Sequence, residues 1–291
     1  MNIKSVGILP LITSLVIAVG LGACSTTELS RVADFPLSDE PLVGKFVWHD
    51  LITDDVRAAK GFYASVLGWT YEETTHPNGG DYTLLLADGR YVAGMVELDD
   101  PDGVEYSRWL PYLSVADVDQ AVAVTRTAGG EAVAGPLDLP NIGRAAAIRD
   151  PQGAVLGLLR SKLGDPEDGA EVKSGHVVWN ELLSSDVAES LGFYDRLAGL
   201  DQRAEQRSGG TYYFLRSQER DRAGVMLRPE ANIEPVWLTH FATADVAAAA
   251  QRVSAQGGEL LLAPSADFRD GRMALAVDPT GAVFVLHQMT Q

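Results

Sequence analysis

The chain has 291 residues, with 23 Lys and Arg against 40 Asp and Glu, a formal net charge of −17. So large an acidic excess excludes nucleic acid and anionic membrane surfaces as electrostatic partners. The single cysteine excludes an internal disulfide, so stability must come from packing.

Residues 1–23 read as a lipoprotein signal peptide. Lys4 is a short positive region. Ser5–Gly20 is mostly apolar but too short to span a membrane comfortably, and Leu21-Gly22-Ala23-Cys24 resembles the processing site of bacterial lipoproteins. On that reading Cys24 carries lipid and anchors the mature chain in a bacterial cell envelope, at the outer membrane or the periplasmic face. Residues 24–42 are polar, contain Pro36 and Pro41, and show no sustained period, as a tether does.

An internal repeat then sets the architecture. Residues 44–69 and 175–200 align without a gap at an offset of 131, and ten of the 26 positions are identical, among them Gly44, Trp48, Asp55, Phe62, Tyr63 and Gly68. The repeated stretch reads strand–helix–strand. Alternation over Phe46–Ile52 puts Trp48, Asp50 and Ile52 on one face and Val47, His49 and Leu51 on the other. Asp55 can cap the helix that follows. Val56, Ala59, Tyr63 and Val66 give it an apolar side, and Gly68 can end it in a left-handed turn.

Further along, Tyr82–Ala87 and Tyr91–Leu98 read as strands around the turn Asp88-Gly89-Arg90. Trp109–Val115 is a strand leading into a helix from Asp117 to Ala128. Ala145–Arg149 and Val155–Leu159 are strands joined by Asp150-Pro151-Gln152-Gly153, which has type I turn residues. Residues 161–173 are charged and carry Gly and Pro, as a linker does. Beyond them the pattern recurs at an offset of 128: Trp237 matches Trp109, Asp245 matches Asp117, and Asp278-Pro279-Thr280-Gly281 matches the earlier turn. The expected organisation is a signal over 1–23, a tether over 24–42, domains over 43–160 and 174–291, and a linker over 161–173. Each domain is expected to close its own sheet, so that residues 174–291 fold alone.

In this order, and twice, these motifs resemble the vicinal-oxygen-chelate superfamily, which includes glyoxalases, bleomycin-resistance proteins and extradiol dioxygenases. The resemblance covers residues 43–160 and 174–288. It implies an α+β fold of two tandem domains, each a pair of βαβββ modules whose strands curl into an open cup. The superfamily's metal ligands do not carry over. The positions that match them are Trp48, Leu110 and Gly157 in the first domain and Trp179, Leu238 and Val285 in the second, and none can hold a metal.

Alternation gives the cup-facing residues. In the first domain they are Trp48, Asp50, Leu110, Tyr112, Gly157 and Leu159. This aromatic and apolar wall with one carboxylate suits a flat or apolar small molecule, unless Trp48 and Tyr112 simply fill the cup as core. In the second domain they are Trp179, Glu181, Leu238, His240, Val285 and His287. The candidate ligand-binding residues are therefore Trp48, Asp50, Tyr112, Trp179 and Glu181. Glu181, His240 and His287 each lie two residues beyond a ligand position, and two histidines with a carboxylate could hold Fe or Zn, although the plainer expectation is no metal at all. Three functions stay open. One is a lipid-anchored protein that binds a small aromatic or apolar molecule without the usual metal. The others are a metal-dependent lyase or dioxygenase using the second domain only, and a non-catalytic envelope interaction protein. No catalytic residue is assigned.

Overall fold

The computed structural model describes residues 37–76, 79–98, 107–169, 171–207, 209–267 and 269–289. The signal segment, Cys24 and most of the expected tether lie outside them.

Each half of the chain forms one eight-stranded sheet. The first contains β1 (Phe46–Thr53), β2 (Thr70–Thr75), β3 (Asp81–Ala87), β4 (Arg90–Glu97), β5 (Arg108–Ser114), β6 (Glu131–Leu139), β7 (Gly143–Arg149) and β8 (Val155–Ser161). Their order is β2-β3-β4-β1-β5-β8-β7-β6. The second contains β9 (Val177–Ser184), β10 (Asp201–Arg207), β11 (Gly210–Ser217), β12 (Arg220–Leu227), β13 (Val236–Thr243), β14 (Glu259–Leu262), β15 (Met273–Val277) and β16 (Val283–Gln288), and it repeats that order. Within a module the first and last strands pair in parallel, β1 with β4 and β5 with β8. The two modules join through the antiparallel pair β1 and β5. This is the expected α+β arrangement of paired βαβββ modules, twice.

Four helices follow the four leading strands: α1 (Val56–Leu67), α2 (Val118–Thr127), α3 (Val187–Ala198) and α4 (Val246–Ala255). Each starts on an aspartate (Asp55, Asp117, Asp186, Asp245) whose carboxylate accepts a hydrogen bond from a backbone N–H three residues on. This satisfies a donor that the first turn leaves free. Gly68 and Gly199 end α1 and α3 with φ of 75° and 63°, a conformation that glycine adopts without a Cβ penalty.

Each half closes its own sheet as expected, but the core between the sheets is shared by the two halves. One buried cluster joins Leu51, Phe62, Tyr63 and Met95 of the first half to Phe241, Val246, Ala249 and Phe284 of the second. A second joins Leu113, Val122, Ile148 and Leu158 to Leu182, Phe193, Tyr194 and Trp237. Helix α1 packs with α4, and α2 with α3. The apolar sides of the helices are thus covered by the other half's sheet as well as their own. Two matching polar chains cross the same junction. Trp109 Nε1 donates to Tyr63 Oη, which donates to Asp278, each at 2.9 Å. Likewise Trp237 Nε1 donates to Tyr194 Oη, which donates to Asp150, again at 2.9 Å. The same two aspartates accept from the backbone of their own Asp-Pro-x-Gly turns. The Phe-Tyr motif of one repeat therefore recognises the turn motif of the other.

Alternation on β1 holds from Trp48 onward and fails before it. The register shifts between Phe46 and Trp48, and between Val177 and Trp179 in the second sheet. A bulge there turns Val47 toward the concave cluster, rather than toward the helices with Leu51. The linker lies against the fold as a strap. Asp165 Oδ2 accepts from Leu42 N and Ser114 Oγ, both at 2.6 Å, so the end of the expected tether is fastened there. Asp168 contacts Lys45 of the first half at 3.1 Å and Arg222 of the second at 2.7 Å.

Candidate functional site

The concave face of the first sheet is a filled cup. Asp50 sits opposite Gly94 and Leu110, and Trp48 opposite Tyr112. Asp50 Oδ1 accepts from Tyr82 Oη at 2.6 Å and Trp48 Nε1 at 2.9 Å. Its other oxygen lacks a partner of good geometry, as does the nearby Tyr112 hydroxyl. Asp50 is wholly buried, and that burial pushes its carboxyl up to about 7, against the pull of the Tyr82, Trp48 and Tyr112 donors. Leu110, Tyr112, Ile142 and Leu159 close around it, none more than 5 % exposed. Trp48 and Asp50 lie side by side as expected, but only Trp48 reaches the surface.

Glycine makes this packing possible. A Cβ at Gly94 would lie 1.5 Å from Tyr82 Oη, and one at Gly157 would lie 2.2 Å from the Tyr112 ring. Gly157 is a position that the resemblance matches to a metal ligand, and the Tyr112 ring occupies the space a side chain there would need. With Trp48 and Leu110 at the other two positions, the first domain does not fit the superfamily's metal.

The second cup departs from the first by single exchanges. His240 stands where Tyr112 does, beside Val285 instead of glycine, and Tyr212 repeats Tyr82 by occupying the space over Gly224. Trp179 Nε1 donates to Tyr212 Oη at 2.9 Å. Glu181 is 8 % exposed, and burial raises its carboxyl despite Tyr212 and Arg269. Its oxygen lies 3.5 Å from Arg269, whereas His240 and His287 face each other with ring centroids 5.8 Å apart. The candidate metal set of Glu181, His240 and His287 does not assemble. Among the described residues no three His, Cys, Asp or Glu side chains are placed to hold an ion. Glu181 pairs with Leu238, two residues from His240 on the same strand, and its carboxyl turns toward Tyr212 and Arg269.

An open cavity of about 430 Å³ lies where the starts of β1 and β9 meet under the linker strap. Trp48 and Trp179 line it together with Tyr91, Ile142, Leu159 and Val172, and Lys45, Asp168 and Arg222 stand at its charged side. His49 and Asn180 also line it and join across the two halves at 2.9 Å. Sequence reading found both tryptophans but not this cleft, because the strap and the contact between halves bring its walls together. The one signal was that residues 49 and 180 are both polar at matched positions of the repeat.

The glyoxalase/bleomycin resistance protein/dioxygenase superfamily pattern matches residues 45–158 and again 173–286. The chain belongs to this superfamily. Among superfamily relatives, "Putative glyoxylase CFP32" of Mycobacterium bovis is 33% identical over 243 residues, covering 81% of this chain and 92% of its own. "Anthracycline biosynthesis protein DauV" of Streptomyces sp. is 30% identical over 263 residues, covering 85% of this chain and 94% of its own. The Mn(II)-bound glyoxalase of Novosphingobium aromaticivorans shares the superfamily fold at a TM-score of 0.57 and 17% identity, over 84% of this chain and 82% of that one.

Proposed function

We propose that this superfamily member binds a small, flat aromatic or apolar molecule in the cleft under the linker, without the superfamily's usual metal. The observation that carries this reading is the Tyr112 ring seated over Gly157, which replaces a ligand position with packed aromatic core. The cleft adds a cavity of ligand size, about 430 Å³, with indole side chains from both halves in its wall. Trp48 and Trp179 would offer ring faces to the ligand. Asp50 would act from behind, holding the Trp48 indole through its N–H, and Tyr212 would do the same for Trp179. One Streptomyces relative is named for anthracycline biosynthesis. We further propose that Cys24 carries lipid and holds the protein at the cell envelope.

Native mass spectrometry of the purified protein, with metal analysis of the same sample, tests the reading. The expected result is a non-covalent organic adduct that the Trp48→Ala variant loses, with no stoichiometric metal. A stoichiometric metal with no adduct would overturn it.

A further inference from the structure

The charged side of the cleft is built around one carboxylate. Asp168 of the linker strap gathers three cations. Its Oδ1 lies 3.1 Å from Lys45 Nζ and 2.7 Å from Arg222 Nη1, and its Oδ2 lies 3.2 Å from Arg220 Nε. Lys45 precedes β1 in the first half, and Arg220 and Arg222 lie on β12 in the second. One carboxylate position is therefore reached by cations from both halves. The Arg222 side chain is only 4 % exposed, and Ser217 and Gln218 accept from its other nitrogens, so its guanidinium is held whichever acid it meets. Burial pushes the Lys45 ammonium below its ordinary value, against Asp168, and Arg222 adds to that push, so Lys45 depends on an anion to stay charged. Lys45, Asp168 and Arg222 all line the cavity that Trp48 and Trp179 line. The other carboxylates on its wall are engaged or lie at its exposed rim. Asp165 accepts from Leu42 N and Ser114 Oγ, Asp221 pairs with Arg203 and Arg216, and Glu167 and Glu171 are exposed. In the other repeat His176 and Val92 stand at the places of Lys45 and Arg222, so this cradle occurs once and gives the cleft a charged end.

We infer that Asp168 is a built-in stand-in for the acid group of the cleft's ligand, an aromatic monoacid whose carboxylate takes the place of Asp168 on Lys45 and Arg222 while its ring lies against the two indoles. This rests on the reading of the cleft as the ligand site and adds the ligand's charge to it. The exchange trades one carboxylate for another on the same donors, so ion pairing changes little and burial of the ring supplies the net gain. The strap is built to allow it. Gly164, before Asp165, packs against Ser38, whereas Gly169, next to Asp168, has a φ of 91° and open space where a Cβ would stand. The strap is thus pinned at Asp165 and has room to move at Asp168. Glu167 and Glu171 at the rim repel a second acid group, so a monoanion fits and a dianion does not.

Isothermal titration of the purified protein with naphthoate, and separately with neutral naphthol, tests it in the wild type, in Asp168→Asn and in Asp168→Asn combined with Lys45→Met, each checked for native circular dichroism. The amide keeps the shape of the carboxylate and removes the charge that competes for the cations. The ratio of naphthoate to naphthol affinity is expected to rise about tenfold or more in Asp168→Asn, the size of one charge-assisted hydrogen bond released to the ligand, and to fall back in the double variant. Should the double variant misfold, salt decides: the rise in Asp168→Asn is expected to shrink as ionic strength increases, and a rise indifferent to salt would overturn the inference. An unchanged or lower ratio in Asp168→Asn would show that Asp168 only fastens the strap, and would overturn the inference while naphthol binding leaves the cleft reading standing. A rise that persists in the double variant would place the acid away from Lys45 and overturn it too. Failure of every form of the protein to bind either compound would overturn both the inference and the cleft reading.

Discussion

His49 and Asn180 occupy the same position in the two repeats and meet each other, with His49 Nε2 2.9 Å from Asn180 Oδ1. Both are buried, at 4 % and 3 % exposure. The amide oxygen only accepts, so Nε2 carries the proton of a neutral imidazole. The pair marks a pseudo-two-fold axis, flanked by the matched Tyr63–Asp278 and Tyr194–Asp150 bonds. A single side chain pair thus forms part of the wall of the cleft and ties the halves together.

That pair and Asp50 give opposite pH dependences. Burial lowers His49 to about 4, against Asn180. Its share of stability is fully present above its unfolded value of about 6.5 and is lost as pH falls through about 4, worth up to about 3 kcal/mol. Asp50 is raised to about 7, so its share is fully present below about 4 and is lost as pH rises through about 7. The two offset each other in the wild type. Asp50→Asn should therefore gain stability relative to the wild type at about pH 8 and lose that gain near pH 4. Urea unfolding across that range checks the sign.

Residues 174–291 alone should not fold cooperatively. Separation would expose Phe193, Tyr194, Phe241 and Phe284, which pack against the first half, at roughly 1.5–3 kcal/mol for each large apolar side chain. That sum rivals the whole stability of an ordinary domain, about 5–15 kcal/mol. A broad, non-cooperative thermal transition of the fragment is expected. A sharp transition like that of the full chain would show that the halves are independent.

Gly157→Ala should destabilise by about 1–3 kcal/mol through overpacking. The new Cβ would lie 2.2 Å from the Tyr112 ring, a contact that cannot exist without displacement. Denaturant melts of Gly157→Ala, Tyr112→Ala and the double variant should give a cost well below additive, since truncating Tyr112 frees the space.

If Cys24 carries lipid as proposed, Cys24→Ser is expected to release the protein from membranes. Fractionation with a high-salt wash reads this directly. Variant protein that still sediments with membranes would mean that another attachment holds it.

The repeat made much of the fold legible. Two copies of Trp48…Asp55…Phe62-Tyr63 and two Asp-Pro-x-Gly turns were enough for the paired sheets, because each motif encodes a local event: a strand, a capped helix, a tight turn. The shared core was not legible. Tyr63 and Asp278 lie far apart in sequence, and nothing local says that each repeat's tyrosine binds the other repeat's turn. The candidate site was legible by residue and not by geometry. Alternation placed Trp48, Asp50, Trp179 and Glu181 on the concave faces. It left open whether Tyr112 lines or fills the first cup, and it did not reveal the cleft that the strap and the contact between the halves enclose. Alternation put Glu181, His240 and His287 on one face, yet the Glu181 carboxyl goes to Arg269.

The most direct test is calorimetric titration of EDTA-treated protein with naphthol, compared with Trp48→Ala. The expected result is saturable binding that survives removal of metal and weakens about tenfold or more when the Trp48 ring is lost, in line with the stacking of one aromatic side chain on a desolvated ligand. Binding that disappears with EDTA and returns with added metal, or that is indifferent to Trp48, would contradict a metal-free aromatic site in the cleft.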